Sequence, residues 1–260
     1  MKVVHTIAEL RAQLKPVRGE SSVGLVPTMG ALHAGHVSLF TAARRECNCV
    51  VASVFVNPAQ FSEASDLAAY PRDLDRDAAF AADHGVDVVF APSAAEMYPD
   101  GFSTWVEPGG AAEGLESASR PGHFRGVATV CLKLFNLVRP QIAWFGQKDA
   151  QQVAVVKQLV RDLNVPVEIR VVETARDHDG LAFSSRNSRL SDEDRVIARA
   201  IPRALETRDV AAARAVLAAA GVEPDYVEVM DFDGPTLLVA ARVGSTRLID
   251  NVPLPKGARS

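Results

Sequence analysis

The chain has 260 residues, of which 48% are hydrophobic and 23% charged, with a formal net charge of −4 and a pI near 5.9. That balance excludes a disordered chain and leaves room for one large domain or two smaller ones, each able to bury a core. An acidic total offers no field for DNA or RNA, and no run of about 18 apolar residues is present to span a membrane. The early polar turn at Met1-Lys2-Val3-Val4-His5 does not read as a signal peptide, so the cytoplasm is the expected setting.

Three cysteines, Cys47, Cys49 and Cys131, cannot all pair, and the C-x-C spacing is neither a redox C-x-x-C nor half of a common zinc site. Packed thiols are expected.

In chain order, Thr6-Ile7-Ala8-Glu9 has capping-box spacing and predicts a short helix through Leu10 and Leu14, ending at Lys15-Pro16. The apolar run Val23-Gly24-Leu25-Val26 predicts a strand that enters a Pro27-Thr28-Met29-Gly30 turn. A helix then opens at His33-Ala34-Gly35-His36 and continues through Leu39, Phe40 and Ala43. Cys49 to Val56 reads as a strand buried on both faces, with Asn57-Pro58-Ala59-Gln60-Phe61 at its end. Arg72 to His84 is a predicted helix stopped by Gly85, followed by a strand at Val86 to Phe90. Then come a helix from Arg125 to Val138, a strand from Gln141 to Phe145, a helix from Asp149 to Leu163 and a strand from Val167 to Val172.

This alternation predicts an α/β, doubly wound, Rossmann-like parallel sheet with right-handed crossovers. Beyond it, Glu173 to Arg189 is polar, glycine-bearing and aperiodic, and is expected to be a mobile loop or hinge. Ser191 to Asp194 caps a further helix, Val210 to Ala220 forms another, and strands are expected at Tyr226 to Met230, Leu237 to Val243 and Thr246 to Ile249. The expected division is a Rossmann-like domain at 1–174 and a smaller α+β domain at 175–260.

A helix start presents unpaired N–H groups and the positive end of the helix dipole, and so attracts phosphate. His33 and His36, three apart at such a start, share a face and can aim ring N–H groups at one anion; Gly30 and Gly35 let backbone come close. This strand, loop and helix resembles the H-x-G-H signature of the nucleotidylyltransferase superfamily.

In a doubly wound sheet ligands bind beyond the carboxyl ends of the strands. Four clusters fall there: Pro27 to His36, Asn57 to Phe61, Gly146 to Gln152, and the loop Asp179 to Asn187. Read in order, V-P-T-M-G-A-L-H-x-G-H, F-V-N-P-x-Q-F, Y-P-R, G-H-F-R-G-V, F-G-Q-K-D-x-Q-Q, S-S-R-N and T-R-L-I-D-N-V resemble the pantoate–β-alanine ligases, and the resemblance spans nearly the whole chain.

That resemblance implies ATP, D-pantoate and β-alanine as substrates, with pantoate attacking the ATP α-phosphorus and β-alanine then displacing AMP. It implies catalytic roles for His33, His36, Lys148, Ser184, Ser185 and Arg186. ATP would also be held by Pro27, Thr28, Met29, Gly30, Gly146, Asp149 at the ribose, and Phe183, which departs from the family's usual Met, as Ala175 does from a common Val. Lys148 lies between a strand end and a helix, where the β- and γ-phosphates are expected. Ser184 to Asn187 stands where related synthetases carry a K-M-S-K-S loop.

Gln60 and Gln152 are the implied pantoate ligands, with Asn57 nearby. Val127 and Val130 would meet the geminal methyls, although core packing accounts for them equally well. His123 and Arg120 are placed near the phosphates or β-alanine. Mg²⁺ is expected with ATP, with Asp77 as the candidate ligand; Asp73 and Asp75 read as a solvated helix face. A homodimer is expected from the same likeness. Two rival classes stay open: another small-molecule adenylyl- or cytidylyltransferase, and a non-catalytic nucleotide-binding regulator.

Overall fold

The computed structural model describes residues 1–17 and 22–255. Two compact units are present. The first takes Met1–Leu32, His36–Phe145 and Gln152–Val172; the second takes His33–Gly35, Gly146–Gln151 and the chain from Glu173 onward. The last boundary between them falls at Val172/Glu173, and two short segments from earlier in the chain group with the C-terminal unit.

The first unit is built on a six-stranded parallel sheet. Its strands are β1 (Lys2–Val4), β2 (Val23–Thr28), β3 (Cys49–Val54), β4 (Val88–Phe90), β5 (Ile142–Gly146) and β6 (Glu168–Val172), in the spatial order β1-β4-β3-β2-β5-β6. Side chains alternate across a strand, and here the alternation sorts the core into two layers. Leu25, Val51, Val88, Phe90, Ala143 and Phe145 face one layer, whereas Val26, Val50, Ala52, Val89 and Trp144 face the other.

Helices Ile7–Leu14, His123–Val138 and Ala150–Asp162 cover the first layer through Leu10, Leu14, Phe135, Val156 and Leu159. Helices Ala34–Glu46 and Leu74–Asp83 cover the second through Leu39, Phe40, Ala43 and Ala81. Both faces are therefore dry, which explains why these strands read as continuous apolar runs. Gly24 is fixed by this packing, since a Cβ there would lie 2.6 Å from the Trp144 ring.

The sheet order also locates a switch. From β2 the chain works outward through β3 and β4 on one side and then returns to β5 and β6 on the other. The crevice beyond the carboxyl ends of β2 and β5 is the topological switch point, where open α/β sheets bind ligands.

The second unit is α+β. Strands β7 (Pro224–Asp231), β8 (Pro235–Val243) and β9 (Thr246–Pro253) form an antiparallel meander, and helices Asp192–Ala198, Ala200–Glu206 and Val210–Ala219 supply Ala198, Ile201, Leu205, Ala213 and Leu217 to the same core. Ser191 caps the first of these by accepting from the Asp194 N–H at 3.0 Å, and Thr6 and Glu9 complete the expected capping box.

Elsewhere the boundaries shift. The helix expected from Arg125 starts at His123, behind Gly122 in a left-handed conformation. Strand β9 runs four residues past Ile249, taking in Asp250 and Asn251. Among the described residues no helix is long and apolar enough to cross a membrane.

All three cysteines are free and buried. Burial pushes the Cys47 thiol up, the Cys49 thiol up to about 11 and the Cys131 thiol up to about 12. At about pH 8 the native protein should therefore react only slowly with a disulfide reagent, and all three thiols should titrate once guanidinium unfolds it. Rapid stoichiometric labelling of the native form would contradict this packing.

Candidate active site

In the first unit the loop beyond β2 is closed by one carboxylate. Asp77, on helix Leu74–Asp83 and 1% exposed, accepts from the Ala31 N–H at 2.8 Å and the Leu32 N–H at 2.7 Å, one on each oxygen. Gly30 is required beside it, because its φ is +80° and a Cβ would lie 2.7 Å from Asp77 Oδ2. The Thr28 hydroxyl donates to the Ser53 carbonyl at 2.6 Å and accepts from the Gly30 N–H at 3.2 Å, fixing the strand exit. Pro27, Thr28, Met29 and Gly30 thus form a tightly held corner.

Asp77 is the sequence candidate for a magnesium ligand, and in the structure each of its oxygens accepts one backbone N–H. Among the described residues no group of three or more His, Cys, Asp or Glu side chains is placed to hold a metal. The residues present do not fit a resident metal centre.

Beyond β3, Asn57 and Gln60 form a buried amide pair on a 3-10 turn, Pro58–Gln60. Asn57 Nδ2 donates to Gln60 Oε1 at 2.9 Å and to the Gly126 carbonyl at 3.2 Å. Asn57 Oδ1 accepts from the Tyr98 hydroxyl at 2.9 Å and the Ala59 N–H at 3.2 Å. With its oxygen thus engaged, Gln60 turns its Nε2 toward the Met29 sulfur at 3.1 Å. Burial pushes the Tyr98 phenol up, so it stays a neutral donor.

The turn is also held from behind. His123 Nδ1 lies 2.9 Å from the Gln60 carbonyl and so carries the proton, which leaves Nε2 to accept from Arg120 at 3.2 Å; Arg120 Nη2 reaches the same carbonyl at 3.3 Å. His123 and Arg120, expected near phosphates or β-alanine, are here tied to the backbone of Gln60. Gly126 permits this approach, since a Cβ on it would lie 2.3 Å from the Ala59 carbonyl oxygen. Val127 and Val130 are buried in the core beside the turn. Gln152 is half-buried on the first turn of helix Ala150–Asp162, and half-buried His36 stacks on Phe40 at 6.4 Å between ring centroids.

In the second unit His33 stands just before the helix, not on its face, and its Nδ1 accepts from the Gly35 N–H at 3.1 Å. One of the helix's orphan donors is therefore already capped, and in the neutral ring the proton sits on Nε2. The ring stacks on Phe183 with centroids 6.0 Å apart, and a Cβ at Gly35 would come within 2.9 Å of both side chains.

Lys148, its side chain 16% exposed, lies 3.4 Å from Asp149 Oδ1 on a 3-10 turn, Gln147–Asp149. Beside it, among the described residues, a Cβ at Gly146 would meet nothing within 4 Å. Ser184 caps the turn Ser185–Arg189 by accepting from the Arg186 N–H at 3.2 Å, and Asn187 donates to the Ala182 carbonyl at 3.0 Å.

The segment expected to be irregular has local structure. Arg176 and Ala182 form an antiparallel bridge, and Arg195 binds both Asp177 and Asp179. Hydrogen bonds from His178, with Arg195 adding to them, hold the Asp177 carboxyl down at about 2.

Sequence reasoning did not single out Tyr98, Gln147, Asp250 or Asn251. The closing T-R-L-I-D-N-V motif contains the last two, which lie just past the strand expected at Thr246 to Ile249.

The Asp77 geometry makes a prediction. Asp77→Asn keeps one acceptor and turns an amide N–H toward the other backbone donor, so stability to urea should fall by about 2–3 kcal/mol with Mg²⁺ dependence unchanged. A shift in Mg²⁺ dependence at unchanged stability would assign the carboxylate to the metal instead.

Comparison with known proteins bears on this arrangement. The family model described as pantoate-beta-alanine ligase matches residues 2–253. Pantothenate synthetase from Chloroflexus aurantiacus is 51% identical over 96% of this chain and 97% of its own length, and that from Corynebacterium efficiens is 52% identical over 98% and 99%. Among solved structures, pantothenate synthetase from Thermus thermophilus superposes with a TM-score of 0.92 at 46% identity, covering 97% of this chain and 99% of that one. A pantoate-beta-alanine ligase from Francisella tularensis, complexed with beta-gamma ATP and beta-alanine, gives 0.90 at 37% identity, covering 97% of each. With the family model spanning nearly the whole chain and relatives matched end to end at about half identity, the chain belongs to the pantoate–β-alanine ligase family.

Proposed function

We propose that the chain condenses D-pantoate with β-alanine in two steps, each carried by the residues described above. The pantoate carboxylate attacks the α-phosphorus of ATP, forming pantoyl adenylate and releasing pyrophosphate. The β-alanine amine then attacks the acyl carbon, and AMP leaves as pantothenate forms. Neither step needs a protein nucleophile, so the work is positioning and the neutralisation of developing charge.

The observation that carries this reading is the Asn57–Gln60 amide pair. It is buried, neutral and oriented by its own hydrogen bonds so that Gln60 offers an N–H donor. Neutral donors suit a carboxylate that must bind and yet remain nucleophilic, whereas an arginine would stabilise the ground state as much as the transition state. Gln60 and Gln152 are the proposed pantoate ligands, with Asn57, His123 and Arg120 holding Gln60 and with Val127 and Val130 at the geminal methyls.

ATP is assigned to His33, His36, Lys148, Ser184, Ser185 and Arg186 at the phosphates, to Asp149 at the ribose, and to Pro27, Thr28, Met29, Gly30, Gly146 and Phe183 around the nucleotide. The open space beside Gly146 supports close approach of a ligand to that backbone. Mg²⁺ is proposed to arrive as part of the nucleotide substrate, held by phosphate oxygens and water. Residues 1–174 are proposed as the ATP- and pantoate-binding region and 175–260 as a lid region. A homodimer is proposed from the family likeness and is open to a sedimentation test, and the cytoplasm is proposed as its setting from the early polar turn at the N-terminus.

An acyl-adenylate-forming ligase exchanges pyrophosphate into ATP before its amine substrate is needed. The chain should do so with pantoate and Mg²⁺ present and β-alanine absent, and adding β-alanine should yield AMP and pantothenate in equal amounts. A folded chain with neither exchange nor product would overturn the reading. Lys148→Ala and His36→Ala should each lower exchange by about 10²-fold or more without unfolding the protein.

The division of substrates has its own test. Gln60→Ala and Gln152→Ala should raise the pantoate KM strongly and leave ATP binding by calorimetry nearly unchanged; equal losses for both substrates would contradict it.

A further inference from the structure

The Lys148 turn is not held by its own backbone alone. Asn251, 3% exposed within β9 and paired across the sheet with Leu238, makes three hydrogen bonds to it. Its Nδ2 donates to the Gln147 carbonyl at 2.9 Å and to the Lys148 carbonyl at 2.7 Å, and its Oδ1 accepts from Gln147 Nε2 at 3.1 Å. Two consecutive carbonyls are thereby fixed by one planar nitrogen, which sets the backbone direction on both sides of the Lys148 Cα.

The amide is itself braced. Asp250, 4% exposed, accepts from the Asn251 N–H at 2.8 Å and takes a two-pronged Arg176 at 2.6 and 3.1 Å. A buried carboxylate is tolerable there because the guanidinium answers it in bidentate geometry.

We propose that Asn251 is a positioning residue for the Lys148 ammonium, acting through the backbone of the Gln147–Asp149 turn. The proposal rests on the reading of Lys148 as a triphosphate ligand. A lysine side chain has four rotors, so its charge is placed only as well as its Cα is placed, and misplacement of a catalytic group by about 1 Å can cost about 10²-fold in rate. The chemistry also selects the residue. Aspartate has no donor and would face two carbonyls with a charge, serine has one donor, and leucine of similar volume has none.

The test is a double-mutant cycle between Asn251 and Lys148, read as the Kd of Mg·ATP by calorimetry and as pantoate-dependent pyrophosphate exchange. Asn251→Ala should weaken ATP binding and lower kcat/KM for ATP by about 10-fold or more, with the pantoate KM moving less than about twofold. In the Lys148→Ala background the same substitution should change the ATP Kd by less than about twofold, because the group it positions is gone.

Asn251→Ser, with one donor left, should fall between. Should Asn251→Ala not fold, Gln147→Ala frees the Asn251 acceptor and enters the same cycle, with a smaller expected loss of about threefold. Independent, multiplicative losses in the double mutant, or equal losses for ATP and pantoate, would make the role merely structural and overturn the proposal. Wild-type exchange in Lys148→Ala would instead overturn the function assigned to Lys148. Loss in Lys148→Ala with no loss in Asn251→Ala would overturn the positioning role alone.

Discussion

A parallel sheet covered on both faces can place reactive groups only on the loops beyond its strand ends, and those loops have no ladder to satisfy their backbone. This constraint organises the molecule. The corner beyond β2 is closed by Asp77, the turn beyond β3 by Asn57 and the turn beyond β5 by Asn251. Each is a buried polar side chain whose hydrogen bonds tie a loop to itself or to a neighbouring element. In each case the side chain comes from sequence, or bonds to sequence, distant from the element it holds, so the loop geometry is a property of the packed unit.

The energetic consequence is an asymmetry. A satisfied polar contact contributes about 1 kcal/mol net, but leaving a buried N–H or carbonyl without a partner costs about 1–3 kcal/mol, so these clamps are worth most when one partner is removed. The same reasoning covers the glycines that matter. Gly30 and Gly126 are demanded by the closeness of Asp77 Oδ2 and the Ala59 carbonyl, and a methyl group at either would push the clamp apart. Gly146 is different, because among the described residues nothing lies within 4 Å of where its Cβ would stand.

How much of this was legible in the sequence follows from the same physics. The α/β architecture was readable because both periodicities are strong: dry strands appear as apolar runs, and capped helices announce themselves at Thr6 and Ser191. The motif clusters at strand ends were readable because they follow the sheet's topology. Asp250 and Asn251 were not, since a polar pair normally ends a strand, and only the packed unit shows Arg176 and the Gln147–Lys148 carbonyls that make them tolerable inside one. The backbone role of Asp77 was hidden for a related reason. Its spacing from Asp73 and Asp75 is a surface pattern, but its carboxylate points inward to two N–H groups 45 and 46 residues earlier. Local sequence rules fail where a polar group is answered by a distant partner.

The two ends of the proposed reaction ask for opposite electrostatics, and the residues divide accordingly. Charge builds on phosphate oxygens as pyrophosphate leaves, so cations such as Lys148 and Arg186 and the ring N–H groups of histidines belong there. In that proposal the attacking carboxylate must instead keep its electron density, and the Gln60 side-chain amide has a neutral amide, Asn57, and a thioether, Met29, as its partners. Arg120 is 60 residues along the chain from Gln60, and its guanidinium reaches the Gln60 carbonyl and His123, with Glu116 at 4.0 Å. Held in this way it fixes the Gln60 backbone, so that under the proposed reading the pantoate carboxylate would meet the Gln60 side-chain amide rather than the Arg120 charge, and the site could be rigid there without quenching the nucleophile.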